Sequence, residues 1–88
     1  MTLHDKMVSA VTEHDRLQEA RDRKAGRRVN IYALGIMLKA CDQVEEDIKS
    51  GVEPRQAVIN NFLGRLLDRV LEACGFEKAT DAEHKRWR

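Results

Sequence analysis

Proline is almost absent: Pro54 is the only one in 88 residues, so little in the chain forbids a helix by removing a backbone N–H. Cysteine is scarce too. Cys41 and Cys74 lie far apart without a neighbouring histidine, which excludes a zinc-ligand spacing or a disulfide framework. Both read as reduced, core-type thiols of a cytoplasmic protein, with Cys74 roughly three helical turns from the residue expected to face Cys41, near Phe62. Charge of one sign is also lacking. Sixteen Lys and Arg against 15 Asp and Glu leave a net charge of +1, which excludes a whole-surface attraction to nucleic acid or acidic membrane.

Long apolar runs are missing. The longest, Ile31 to Leu38, is far too short to span a bilayer, and Met1 to Ala10 carries His4, Asp5 and Lys6 where a signal peptide needs an unbroken apolar stretch. Catalytic patterns are missing as well: there is no Ser-His-Asp constellation and no glycine-rich phosphate loop, and consecutive Glu45, Glu46 and Asp47 point in different directions on a helix. The expectation is a cytoplasmic protein that is not an enzyme, with no metal, no cofactor, no membrane contact and no small-molecule substrate.

What remains is helical periodicity. At 88 residues the chain is one domain at most, in a size range where a partner or a second copy often completes the core. Thr2 and Asp5 have capping-box spacing, and Leu3, Met7, Ala10, Val11, His14 and Leu17 follow on one stripe, predicting helix 1 over about residues 3–25, its second half solvated. Asn30 reads as the N-cap of helix 2, about 31–50, with Val29 and Leu34 as a hydrophobic staple and Gly51 just past its end. Pro54 suits the first turn of helix 3, about 54–74, and Gly75 with Phe76 fits a Schellman stop. The fold class is therefore all-α: three long helices with a central antiparallel αα-hairpin, expected to form a dimeric helical bundle. Residues 1–76 make one helical domain, and 77–88 a charged tail or short helix in which Thr80 and Glu83 have capping-box spacing.

Helix 3 carries Val58, Ile59, Phe62, Leu63, Leu66, Leu67, Val70, Leu71 and Cys74, an apolar arc of roughly 220° on a continuous helix, more than one neighbour covers. On helix 2, Leu34, Leu38 and Cys41 form one stripe while Tyr32 and Ile36 face the other way, where the polar half of helix 1 is a poor cover. Tyr32, Gly35, Ile36, Phe62, Leu63 and Leu66 are thus the expected dimer or partner interface. Gly35 and Gly64, both inside predicted helices, read either as sites of close backbone approach or as tolerated drift.

The segment Arg21 to Arg28 is the only dense basic cluster, and Arg21, Arg23, Lys24, Arg27 and Arg28 are the candidates for contact with phosphate or an acidic partner. Acidic neighbours hold the first 28 residues to a net of +2, and Glu19 and Arg23 are spaced as a helix-surface ion pair. A helix-turn-helix reading fails because helix 3 is apolar over most of its circumference. The echo of His4-Asp5 in His14-Asp15 reads as coincidence, with His14 a satisfied interface histidine, and Trp87 reads as a partner anchor or a mobile terminal aromatic.

These features rank three functions. First is a small, homodimeric protein–protein interaction module that regulates or inhibits a larger cytoplasmic protein, a profile of size and shape shared by small inhibitors encoded by bacteriophages or mobile elements. Second is a nucleic-acid accessory protein acting through residues 21–28. Third is a structural or assembly subunit.

Overall fold

A computed structural model describes residues 1–85, and Trp87 lies outside the described residues. The first helix opens as its spacing predicts: Thr2 Oγ1 accepts the Asp5 N–H at 3.1 Å, and the Asp5 carboxylate accepts the Thr2 N–H at 3.2 Å. That reciprocal pair starts α1, Leu3–Lys24. It is followed by α2, Ala33–Lys49; α3, Pro54–Asn61; α4, Gly64–Ala73; and α5, Asp81–Lys85, with no strand among the described residues. Three stops share one mechanism, in which the N–H two residues past the cap returns to a carbonyl in the last turn: Arg27 to Asp22 at 2.8 Å, Val52 to Asp47 at 3.0 Å and Phe76 to Leu71 at 2.8 Å. Pro54 occupies the first turn of α3. At α2 the expected cap is displaced: Asn30 Oδ1 accepts the Tyr32 N–H at 3.0 Å, closing a turn ahead of a helix that begins at Ala33.

The main departure from expectation is that helix 3 is not continuous. Phe62 and Leu63 are both extended, at φ −130° and −142°, and separate α3 from α4. Asn61 holds the end of α3: its side-chain N–H groups donate to the Ala57 carbonyl at 2.7 Å and to Asp47 of α2 at 2.9 Å. A straight antiparallel register brings the end of α3 towards Cys41, but Asn61 instead meets Asp47 near the end of α2. The turn between the two helices lets Phe62 enter the core at 2% exposure.

This break redirects the wide apolar arc. Ala57, Val58 and Ile59 are three consecutive buried residues, so α3 is enclosed on nearly all sides. In contrast α4 is two-faced, with Leu67, Val70 and Leu71 inside and Arg65 and Glu72 in water. α1 packs against both α2 and α4, contributing Met7 and Val11, while α2 contributes Cys41 and Val44 and also contacts α3. At about 1.5–3 kcal/mol for each large apolar side chain buried, this single core satisfies most of the demand that a continuous helix 3 would have placed on a second chain.

Cys41 is buried in the core and Cys74 packs against it. Both are free; burial pushes the Cys41 thiol up to about 11, with Asp42 and the nearby Cys74 adding to the shift, and burial also raises Cys74. Neither is poised as a thiolate at neutral pH.

α5 has no buried residue, yet it is tied to the body. Thr80 and Glu83 form its capping box, at 2.9 and 3.2 Å. Arg55 of α3 reaches both Glu83 oxygens, at 2.5 and 3.0 Å, and Asp68 of α4 accepts the Ala79 N–H at 3.0 Å and lies 3.3 Å from the His84 ring. The Arg55 hydrogen bonds, helped by the Thr80 N–H, hold the Glu83 carboxyl down at about 2.

The seam between α1 and α4 contains the one buried side-chain polar atom without a partner among the described residues, His14 Nδ1. His14 is therefore not the satisfied histidine its position predicts. Burial, then the Arg69 and Arg21 guanidinium groups, hold its imidazole below the usual range, with Asp15 opposing them. Below about pH 6.5 the unfolded chain takes up a proton at this site more readily than the folded chain does. Stability should therefore fall as the pH drops from about 6.5 towards the lowered folded value, and flatten beyond it. The stability difference between wild type and His14→Leu, from urea unfolding at about pH 7.5 and pH 5.5, is expected to move in favour of the variant at the lower pH. A difference that does not change with pH places His14 in water in the folded state.

Candidate protein-binding surface

α2 is built with an inner and an outer face. Positions 34, 37, 38, 41, 44 and 48 turn inward, while Tyr32, Gly35, Ile36, Lys39, Gln43 and Glu46 form an exposed stripe along the helix. The first turns of that stripe are apolar. Tyr32 is 73% exposed and Ile36 64%, and Ile31, just ahead of the helix, is 77% exposed. The Asn30 turn sets this geometry, because it fixes Ile31 and Tyr32 outside the core before the helix begins. Beside them a hollow of about 450 Å³ is lined by Arg28, Val29, Asn30, Ile31 and Tyr32. Gly35 lies on the same exposed stripe, and a Cβ there would meet nothing within 4 Å.

Of the six predicted interface residues, the structure brings Tyr32, Gly35 and Ile36 together at one end of α2. Phe62 does not join them, because the break turns it into the core, and Leu66 is half-buried against that core. Leu63 is 62% exposed at the break. Gly64 is not in a helix interior: it is the first residue of α4, at φ +62°, so its role is conformational rather than close approach. Sequence reasoning missed Ile31, whose signal was its place between the Asn30 turn and the first helical residue.

The basic segment is partly neutralised by its own helix. Arg23 pairs with Glu19 at 2.7 Å and Arg27 with Asp22 at 3.0 Å, leaving Arg21, Lys24 and Arg28 without an ion pair among the described residues. Arg28 thus links the basic corner to the hollow beside Tyr32. The two His-Asp echoes do not meet as one site: His4 binds Asp42 of α2 at 2.8 Å, Asp5 caps α1, and His14 lies in the α1–α4 seam. Among the described residues no group of three or more His, Cys, Asp or Glu is arranged to hold a metal ion, and no helix is long and apolar enough to cross a membrane.

Comparison of the chain with family models, with curated proteins and with solved structures finds no match.

Proposed function

We propose that this chain is a small, non-catalytic protein–protein interaction module that self-associates and regulates a larger cytoplasmic protein, and that its working surface is the outer face at the start of α2. The observation that carries the reading is the exposure of Ile31, Tyr32 and Ile36 side by side, whereas the other large apolar side chains among the described residues, apart from Met1 and Leu63, are wholly or partly covered. Covering Ile36 alone is worth about 1.5–3 kcal/mol, a gain the isolated chain forgoes. A tyrosine flanked by aliphatic side chains and an arginine is also the composition found at the centres of protein interfaces.

The test is Ile36→Glu. Since Ile36 lies in water in the single chain, the variant is expected to keep the wild-type circular dichroism and thermal midpoint while weakening self-association or partner binding by roughly ten- to a hundredfold. A variant that retains both the wild-type mass in light scattering and every wild-type partner shows that the working surface lies elsewhere.

A further inference from the structure

Resting on the reading of α2 as the docking face, we infer that its occupant is a second copy of this chain, laid antiparallel across the stripe with Ile36 close to the two-fold axis. The argument is the order of side chains along the outer face. Reading from the N-terminal end, it runs from Arg28 of the preceding loop, which has no ion pair among the described residues, through Tyr32, Gly35 and Ile36 to Lys39, Gln43 and Glu46. Arg28 leads, the apolar groups follow, Lys39 comes next, and Glu46, 3.7 Å from Lys49 on its own helix, closes the series.

A sequence of charges in that order is self-complementary only in one direction. In a parallel pair each residue meets its own copy, so Arg28 faces Arg28, Lys39 faces Lys39 and Glu46 faces Glu46. Like charges then meet at every charged level. In an antiparallel pair centred on Ile36, the second copy's Lys39 lies level with Tyr32, where its ammonium can sit over the ring. The second copy's Glu46, about 15 Å from the axis at 1.5 Å per residue, lies level with the loop that carries Arg28. The helix dipoles also run oppositely in this arrangement. At the centre Gly35 has no side chain to hold the two backbones apart, and Ile36 packs against its symmetry mate.

The contact is a modest one. A standard interface covers about 800 Å² per partner, whereas this chain exposes 6110 Å² in all and offers one helix face with the adjoining loop. Association is therefore a concentration-dependent equilibrium, with a dissociation constant on the order of micromolar.

Charge reversal tests the direction of pairing. Arg28→Glu sets like charge against the second copy's Glu46, and Glu46→Arg sets like charge against Arg28, so each single variant of the full chain should dissociate about tenfold more readily in sedimentation at low salt. The double variant restores both contacts and should return to within about threefold of wild type, because the two changes act on one pair. In a parallel pair the double variant gains nothing over the singles. Recovery in the double variant, with helicity unchanged in all three, is the expected result. Three outcomes overturn the inference: single reversals without effect, a double variant no better than either single, or a wild-type chain that stays monomeric up to about 1 mM. The first two leave the broader reading of the α2 face intact; a monomeric wild type removes its self-association as well and leaves only docking of a different protein, which stands or falls with Ile36→Glu.

Discussion

Phe62→Ala is expected to destabilise the chain by about 3–5 kcal/mol, whereas Leu63→Ala, one residue further on, changes stability by no more than about 0.5 kcal/mol. The two residues have similar chemistry and adjacent positions, and both were read from the sequence as interface. They differ only in where the break between α3 and α4 sends them. Phe62 is 2% exposed, among the buried residues of all four long elements, while Leu63 is 62% exposed. Removing the ring deletes its transfer free energy and leaves a cavity that α3, held by Asn61 to Asp47, is poorly placed to fill. For a domain whose whole stability is of order 0.1 kcal/mol per residue, that loss removes roughly a third to a half of the total. Urea titration of dilute protein, where association plays no part, measures both. Equal costs for the two substitutions are incompatible with the break as described.

The second large effect is a reversal of sign between two glycines. Neither Gly35 nor Gly64 has any atom within 4 Å of where a Cβ would stand, so alanine meets no obstacle at either. What differs is the backbone. Gly35 lies in the second half-turn of α2 with ordinary helical geometry, and Gly35→Ala should raise stability by about 0.5–1 kcal/mol through helix propensity. Gly64 sits at φ +62°, where an L side chain crowds its own carbonyl, and Gly64→Ala should lower stability by about 1–2 kcal/mol. The two midpoints of thermal unfolding are then expected to move in opposite directions, separated by roughly 10 °C. A continuous helix through residue 64 requires both substitutions to stabilise, so the sign at Gly64 alone decides between the two architectures.

The helix ends were the most legible part of the fold. Thr2 with Asp5, Pro54, Gly51, Gly75 with Phe76, and Thr80 with Glu83 act within one turn, and the interactions that fix them are written in residues three to five apart. The break at Phe62 was less legible because its causes lie far apart in the chain: the Asn61 amide needs Asp47, and Phe62 needs a core assembled from the other helices. A local trace was present. Asn60 and Asn61 are weak helix formers, Gly64 follows three residues later, and an apolar arc too wide for one face is what two helices with different directions leave when read as one. The surplus was assigned to a partner when most of it belonged to a turn.

At the candidate surface the outer stripe of α2 was readable, since Tyr32 and Ile36 share a face with Lys39 and Glu46 that the core has no use for. Phe62 was misplaced for the same reason as the break was missed, while Leu66 is half-buried against the core. His14 lies partly buried on the apolar stripe of α1, as its spacing indicates, but the lack of any hydrogen-bond partner for its Nδ1 among the described residues depends on which part of α4 lies opposite.

The fifth helix illustrates a different kind of attachment. Its own residues are all outside the core, and the ties from Arg55 and Asp68 are charge-borne. Docking of this segment therefore contributes little to the heat capacity of unfolding, which follows apolar area, and responds instead to ionic strength and to protonation of Glu83 near pH 2. Amide hydrogens of residues 81–85 should exchange on their own, faster schedule, hastened by salt, while the four-helix body keeps its protection.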